Sequence, residues 1–327
     1  MIIAGIDEAG YGPLLGPLVV GCAAFEIPDA AAVDLADDKL PCIWSRLKKV
    51  VSKNRSKTGR KLHINDSKLV YSTAGGLKEL ERSVLATLAA SREWSDQFDG
   101  VMKHVAEHAL ADVADSTWYR AVESESFPFA QEATPVKLFS RALKQEMDRT
   151  ETRCVHLGAR VLLEKPLNRH FEQTRNKSNT LFSIAAIHLD HLLRQYGEKN
   201  LTIFCDRQGG REHYGPLLRL MFEDWSLEIL HEADGRSDYR LHRGSHTVRI
   251  TFCEKAEAQC MPVAMASMLS KYLREALMHR FNTWWLARQP GLTPTAGYHG
   301  DGNRFLTDIA VTRRQLGITD EELIRSR

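Results

Sequence analysis

Apolar residues run almost unbroken from Ile2 to Ile6, stop at the adjacent carboxylates Asp7 and Glu8, and resume at Leu18 after a Gly-x-Gly-Pro turn. A short apolar run closed by charge and glycine predicts a buried strand, so the opening reads as strand, charged break, strand. The pattern recurs at residues 201–205, where Leu-Thr-Ile-Phe-Cys ends on Asp206 with Gly209 and Gly210 behind it. Residues 154–163 predict another strand, and 227–231, 239–243 and 248–253 predict a meander. Helical spacing is read over 72–88, through Leu77, Leu80, Val84 and Leu88 with Ser72 or Thr73 as N-cap, and over 101–113, 136–147, 181–196 and 262–287. A short helix is expected within 27–42, and two more close the chain around 305–315 and 320–324.

Composition bounds this picture without sharpening it. With 327 residues, 43% hydrophobic and 26% charged, the chain has globular averages and the length for one large domain. We expect a single domain over 1–327 with a basic loop at about 43–61, a helical insertion at about 91–150 and C-terminal helices at about 303–327. The net charge of +2 advertises no polyanion partner, so any such surface is local. One strong local shift exists: Arg46, Lys48, Lys49, Lys53, Arg55, Lys57, Arg60 and Lys61 follow one another with no acid among them. Such a run is either a solvated loop or a phosphate-tracking arm, and its place just before Asn65-Asp66-Ser67-Lys68 tips the balance toward the arm. The aromatic residues Trp94, Trp118 and Tyr119 in the insertion read as packing residues.

The cysteines Cys22, Cys42, Cys154, Cys205, Cys253 and Cys260 have neither zinc-ligand nor disulfide spacing, and most lie in strand-like runs. They read as small buried hydrophobes in a reducing compartment. No targeting sequence and no membrane-length apolar run is evident. A cytoplasmic protein with no membrane association and no evident protein partner is the expectation.

Chemistry concentrates at strand ends. Asp7 with Glu8, Asp206, and the Glu254/Glu257 pair all follow predicted strands, and in an α/β sheet such residues converge at one edge. Four carboxylates in one place raise one another's pKa unless cations sit among them. Oxygen-only donors suit Mg²⁺ or Mn²⁺, and two such ions about 3.5–4 Å apart serve phosphodiester hydrolysis. Three unrelated solvated strand ends would show the same spacing.

The motifs resemble those of the type 2 ribonucleases H. Asp7-Glu8-Ala9-Gly10-Tyr11-Gly12-Pro13 is similar to that family's Asp-Glu-Ala-Gly-Arg-Gly-Pro opening, continued by Gly16-Pro17-Leu18-Val19-Val20. Asn65-Asp66-Ser67-Lys68 resembles its Asp-Ser-Lys segment, Asn179 stands where a helix follows an Asn, and the strand into Asp206 resembles the one bearing its third acid. Lys255-Ala256-Glu257-Ala258-Gln259 and the helix after it resemble the fourth-acid segment, and Gly297-Tyr298 resembles a late substrate-packing element. The resemblance covers roughly residues 1–27, 62–88 and 153–316, in family order.

It implies an α/β, ribonuclease H-like fold: a central mixed β-sheet flanked by helices, with a C-terminal helical part and, here, a helical insertion. It further implies endonucleolytic cleavage of the RNA strand of an RNA–DNA hybrid or ribonucleotide-containing duplex, leaving 3′-hydroxyl and 5′-phosphate ends. The implied catalytic and metal-binding acids are Asp7, Glu8, Asp206 and Glu257, holding two Mg²⁺ or Mn²⁺ ions, with Asp7 the expected bridge. Gly10, Tyr11, Gly12, Ser67, Lys68, Arg207 and Tyr298 are the implied substrate contacts, with the glycine backbone facing the ribose 2′-hydroxyl.

Two departures stand out. Tyr11 replaces the arginine between the glycines, and Arg207 follows Asp206 where glycine is common; Arg207 and Arg211 are candidates to replace the lost charge. Glu257 matches the HIII branch, while the chain starts at the first strand without that branch's N-terminal domain, which leaves the branch open. A catalytically weak or inactive nucleic-acid-binding relative is the alternative. A small-nucleotide phosphotransferase is disfavoured because no Walker-type loop is present.

Overall fold

A computed structural model describes residues 1–29, 40–71, 76–122 and 125–326. The expected N-cap at Ser72 or Thr73 and most of the helix expected within 27–42 lie outside the described residues.

Seven strands form one sheet: β1 (Ile2–Ala9), β2 (Leu18–Glu26), β3 (Arg153–Leu162), β4 (Leu201–Asp206), β5 (Ser226–Ala233), β6 (Arg236–Arg243) and β7 (His246–Cys253). Their order is β3-β2-β1-β4-β7-β6-β5. The centre, β1-β4-β7, is parallel, whereas both flanks are antiparallel. This is the expected mixed α/β sheet, including the meander.

The principal helices are α1 (Lys78–Ser91), α2 (Phe98–Ala106), α3 (Ala133–Arg149), α4 (Glu164–Thr174), α5 (Lys177–Tyr196), α6 (Met261–Arg288) and α7 (His299–Asp308). Helix α5 begins at a true N-cap, where the Asn176 side chain accepts from the Asn179 N–H. Helix α4 is not among the expected helices; its Pro166 lies in the first turn, where the N–H groups lack intrahelical partners and proline is tolerated. Among the described residues, no helix is long and apolar enough to cross a membrane.

Both sheet faces are covered, which is why β1 and β2 read as continuous apolar runs. On one face Ile2, Ala4, Ile6, Val20 and Cys22 pack beneath α5; on the other Ile3, Val19, Ala23 and Phe25 pack with α6 and α1. Residues 91–150 do form helices, and they bind to α6 through buried charge. Arg280 pairs with Asp99 at 2.7 Å and Glu125 at 2.5 Å. Glu81 of α1 accepts from the Phe129 and Ala130 N–H groups. Trp118 and Tyr119 are buried with edge-on and tilted contacts to Phe281, in line with a packing role.

Helix α6 lies closer to the sheet than ordinary side chains permit. A Cβ on Gly5 would stand 2.1 Å from the Val263 nitrogen, and one on Gly21 would stand 2.5 Å from the Ala266 oxygen. Gly5→Ala therefore forces the start of α6 off β1. The expected cost is about 1–3 kcal/mol, read as a lowered urea midpoint at unchanged slope; an unchanged midpoint would show that the helix yields freely.

Candidate functional site

The parallel centre of the sheet explains how acids distant in sequence meet. Strands β1, β4 and β7 run the same way, with Ile6 opposite Cys205 and Asp206 opposite Cys253, so their carboxyl ends open on one edge. Asp7 and Glu8 leave β1 there, Asp206 ends β4, and β7 runs into a one-turn 3₁₀ helix, Ala256–Ala258, that carries Glu257. Lys255 turns the chain at φ 54°, a left-handed conformation costly for a side-chain-bearing residue. The turn lets the Ala256 N–H donate to Asp206 Oδ1 at 3.2 Å.

All four acids hold their protons above the ordinary carboxylate range. For Asp7 the cause is burial, then the charges of Glu8 and Asp206. Burial and Asp206 push Glu8 up to about 7, against the pull of Lys68. Asp206 is raised by burial despite backbone N–H donors and Lys68, and Glu257 by burial with Asp206 and Asp66. Asp7 is 8% exposed. Of the two expected glutamates, only Glu257 joins this group; Glu254 pairs with Arg207 at 2.8 Å.

Among the described residues, no three of these acids bring carboxylate oxygens within 4.8 Å of one another. Converging, proton-retaining, oxygen-only donors fit a hard divalent cation, whose charge removes the repulsion. The donor set thus fits the expected metal chemistry.

Of the implied substrate contacts, Lys68 and Tyr11 lie within electrostatic reach of Glu8. Lys68 sits on the one-turn helix Ser67–Val70, capped by Asp66, whose carboxylate accepts from the Lys68 N–H at 2.9 Å. Ser67 is buried, and its hydroxyl accepts from Ser267 at 3.0 Å. Gly10 has φ +86°, and a Cβ there would meet the Pro17 oxygen at 2.5 Å; Gly12 faces open space. Tyr11 lies against Gly209, and burial with the nearby Glu8 raises its phenol pKa while Arg211 lowers it.

Tyr298 is 47% exposed, with the Arg274 guanidinium 5.5 Å from its ring centre. Gly297 accepts from the Leu14 and Leu15 N–H groups, which ties Tyr298 to the glycine loop. Arg207 contacts Glu254 and, at 3.4 Å, Glu212. Arg211 donates to Asn179 at 2.6 Å and Ser178 at 2.9 Å. A cleft of about 290 Å³ beside the loop is lined by Gly12, Pro13, Leu14, Lys177, His299 and Arg325 among others.

Three supporting residues escaped the sequence reading. Ser270 donates to the Asp7 carbonyl at 3.0 Å. Arg274, fully buried, donates to the Ala296 oxygen at 2.7 Å, and Arg325 donates to the carbonyl oxygens of Gly10 and Tyr11. Neither left a trace in the sequence: Arg274 is one of several charges on α6, with Lys271 and Glu275 close by, and Arg325 lies near the end of the chain, far from the loop it holds.

The basic stretch also reaches this edge. The Lys53 ammonium donates to the Ala258 oxygen, beside Glu257, and the Asn65 side chain donates to the Lys53 oxygen at 2.8 Å. Lys48, Arg55, Lys57 and Arg60 are exposed.

No family model matches the chain, and no curated protein does. Solved structures do resemble it. RNase HII from Archaeoglobus fulgidus, solved as a complex with PCNA, aligns at 16% identity and TM-score 0.42, covering 100% of this chain and 95% of that one. Ribonuclease H2 from Pyrococcus horikoshii aligns at 14% identity and TM-score 0.40 over 99% and 92%. Bst-RNase HIII, solved with Mn²⁺, aligns at 15% identity and TM-score 0.42 over 99% and 66%.

The raised carboxyl pKa values carry a sign. A carboxyl that keeps its proton longer when folded contributes stability below its unfolded pKa, near 4.5 for Glu8, and that contribution is lost as pH rises through about 7. In chelator, stability is expected to fall between about pH 5 and 8, by on the order of 3 kcal/mol for Glu8 alone. Glu8→Gln flattens the fall, and Mg²⁺ restores stability at the alkaline end. Thermal melts across that range check this; a profile that rises toward alkaline pH contradicts the clustering.

Proposed function

We propose that the chain is a metal-dependent endoribonuclease of the type 2 ribonuclease H kind, hydrolysing phosphodiesters in the RNA strand of RNA–DNA hybrids. The observation that carries this is the convergence of Asp7, Glu8, Asp206 and Glu257, each holding its proton above the ordinary range, at the carboxyl edge of three parallel strands. Beside it stand a bare glycine loop, a lysine and an exposed tyrosine ring.

Asp7, Glu8, Asp206 and Glu257 hold divalent cation, Asp7 being flanked by Glu8 and Asp206. When bound, two such ions lower the pKa of the attacking water and neutralise charge on the phosphate and the leaving 3′-oxygen. The protein's own part is positioning. Lys68 is near enough to lower the pKa of Glu8, Asp206 and Glu257, and a phosphate entering there replaces part of that pairing. Gly10 takes the left-handed turn that brings the loop backbone to this edge, Gly12 leaves open space beside it for the ribose, and the 2′-hydroxyl is what separates RNA from DNA. Tyr298 offers an exposed ring to a sugar, held on the loop by Gly297 and Arg274. Water attack with loss of the 3′-oxygen gives 3′-hydroxyl and 5′-phosphate ends.

Incubation with Mg²⁺ or Mn²⁺ on a full hybrid, a duplex with one embedded ribonucleotide, and all-DNA tests the reading. Cleavage restricted to ribose-containing strands is expected, and Asp7→Asn or Glu257→Gln should lower it by about 10²-fold or more while leaving binding intact. Binding without cleavage under either ion would favour the inactive relative instead.

The basic stretch supplies a second expectation. Replacing Lys48, Arg55, Lys57 and Arg60 with glutamine should weaken hybrid binding and reduce the slope of log affinity against log salt by about 0.7–0.9 for each phosphate no longer neutralised. Titration at several salt concentrations reads it; an unaltered slope returns the stretch to an ordinary solvated loop.

A further inference from the structure

Beneath α5, on the sheet face away from α6, lies a second group of metal-ligating side chains. Cys22 of β2, His156 of β3 and His188 of α5 bring Sγ and ring nitrogens within 4.8 Å of one another. His188 is 5% exposed, and its Nε2 stands 2.9 Å from the Val20 oxygen. A carbonyl only accepts, so Nε2 carries the hydrogen and Nδ1 is left with a lone pair.

His156 shows the complementary feature. Its Nε2 is buried with no hydrogen-bond partner, an unfavourable arrangement unless a ligand satisfies the nitrogen. That nitrogen lies 2.8 Å from where a Cβ on Gly158 would be, and Gly158 is the residue paired with Cys22 across the β2–β3 ladder. The glycine thus makes the space into which His156 folds, opposite the thiol. The ring of His191, on the next turn of α5, stands 4.4 Å from that of His156.

Protonation suits ligation. Burial, with His191, His188 and Arg92, holds His156 down to about 3; burial, with Arg160, His191 and His108, holds His188 to about 4. Both rings are therefore neutral at neutral pH, as metal ligands are. Burial pushes the Cys22 thiol up, so it too is neutral until a cation displaces its proton. Arg92 and Arg160 add positive potential, and binding adds a net charge of one more, so the thiolate, the one anionic donor of the three, is the ligand the site depends on.

We propose that Cys22, His156 and His188 form a transition-metal site of the zinc class, with the fourth position taken by His191 or water. Thiol and imidazole donors select Zn²⁺ over the hard ions suited to the carboxylate edge. Tetrahedral bonds of about 2.0–2.3 Å put donor atoms roughly 3.5 Å apart, a spacing compatible with three donors that already lie within 4.8 Å of one another. The step balances simply: one divalent ion binds, one thiol proton leaves, nothing is oxidised. Such a site staples β2 and β3 to α5, and it stands on residues separate from the proposed nuclease edge.

The test uses full-length protein freed of metal with a chelator and titrated with Co²⁺, then Zn²⁺. One equivalent of Co²⁺ should produce thiolate-to-cobalt charge-transfer absorption in the near ultraviolet, a band that carboxylates cannot give, and Zn²⁺ should abolish it. Asp7→Asn keeps the band, Cys22→Ser loses it, and His188→Gln weakens affinity by at least about 10- to 100-fold. Circular dichroism checks that each variant is folded. Should Cys22→Ser not fold, the wild-type titration still decides: no charge-transfer band at one equivalent overturns the proposal, as does the same band in a folded Cys22→Ser protein.

Discussion

The close seating of α6 on β1 and β2 sets the positions on which the carboxylate edge depends. Where Gly5 faces the Val263 nitrogen and Gly21 faces the Ala266 oxygen, helix and sheet meet backbone to backbone. That contact lies only a few residues beyond the turn bearing Glu257, so the depth of the helix and the reach of that carboxylate are set together. It also places Ser270 within hydrogen-bond distance of the Asp7 carbonyl and Ser267 against Ser67, next to Lys68. Metal and phosphate sites tolerate errors of about half an ångström, and a side chain in place of either glycine displaces far more than that.

Against this packing works an electrostatic tension. Burying four carboxylates at one edge is unfavourable, and their retained protons record the cost. Two hydrophobic cores, one on each face of the sheet, hold the strand ends in place against that repulsion. Clustered carboxyls that retain their protons are a less stable arrangement than separated ones, and a cation is what would relieve it. The loop bearing the lysines and arginines is pinned to the same edge through Lys53 and Asn65.

The sheet separates two kinds of donor. Oxygen donors collect at the carboxyl ends of β1, β4 and β7, where strands open to solvent, while sulfur and nitrogen donors lie under α5 in a buried layer. Position along the strands produces this division more than face does, since Glu8 alternates onto the same face as Ile6 yet stands at the strand end. Asp7 falls on the α6 side with Gly5, and Cys22 falls with Val20 and Ala24 on the α5 side.

The strands, the long helices and the strand-end acids Asp7, Glu8 and Asp206, with Glu254 and Glu257 as alternatives, were legible in the sequence because each is written locally. A β-branched run that stops on a carboxylate, or an apolar repeat at helical spacing, carries its own signal whatever it later packs against. Local signals were also incomplete, as at α4, for which no helical spacing was read although its Pro166 sits in a permitted first turn. What the tertiary structure alone decided is which distant residues face one another. Arg325 holds the glycine loop from the far end of the chain, Glu254 turns away to Arg207 while Glu257 turns in, and Cys22, with no partner by spacing, meets two histidines across a ladder and a helix. Sequence spacing encodes direction along one element, and these contacts depend on register and packing between elements, which no single segment specifies.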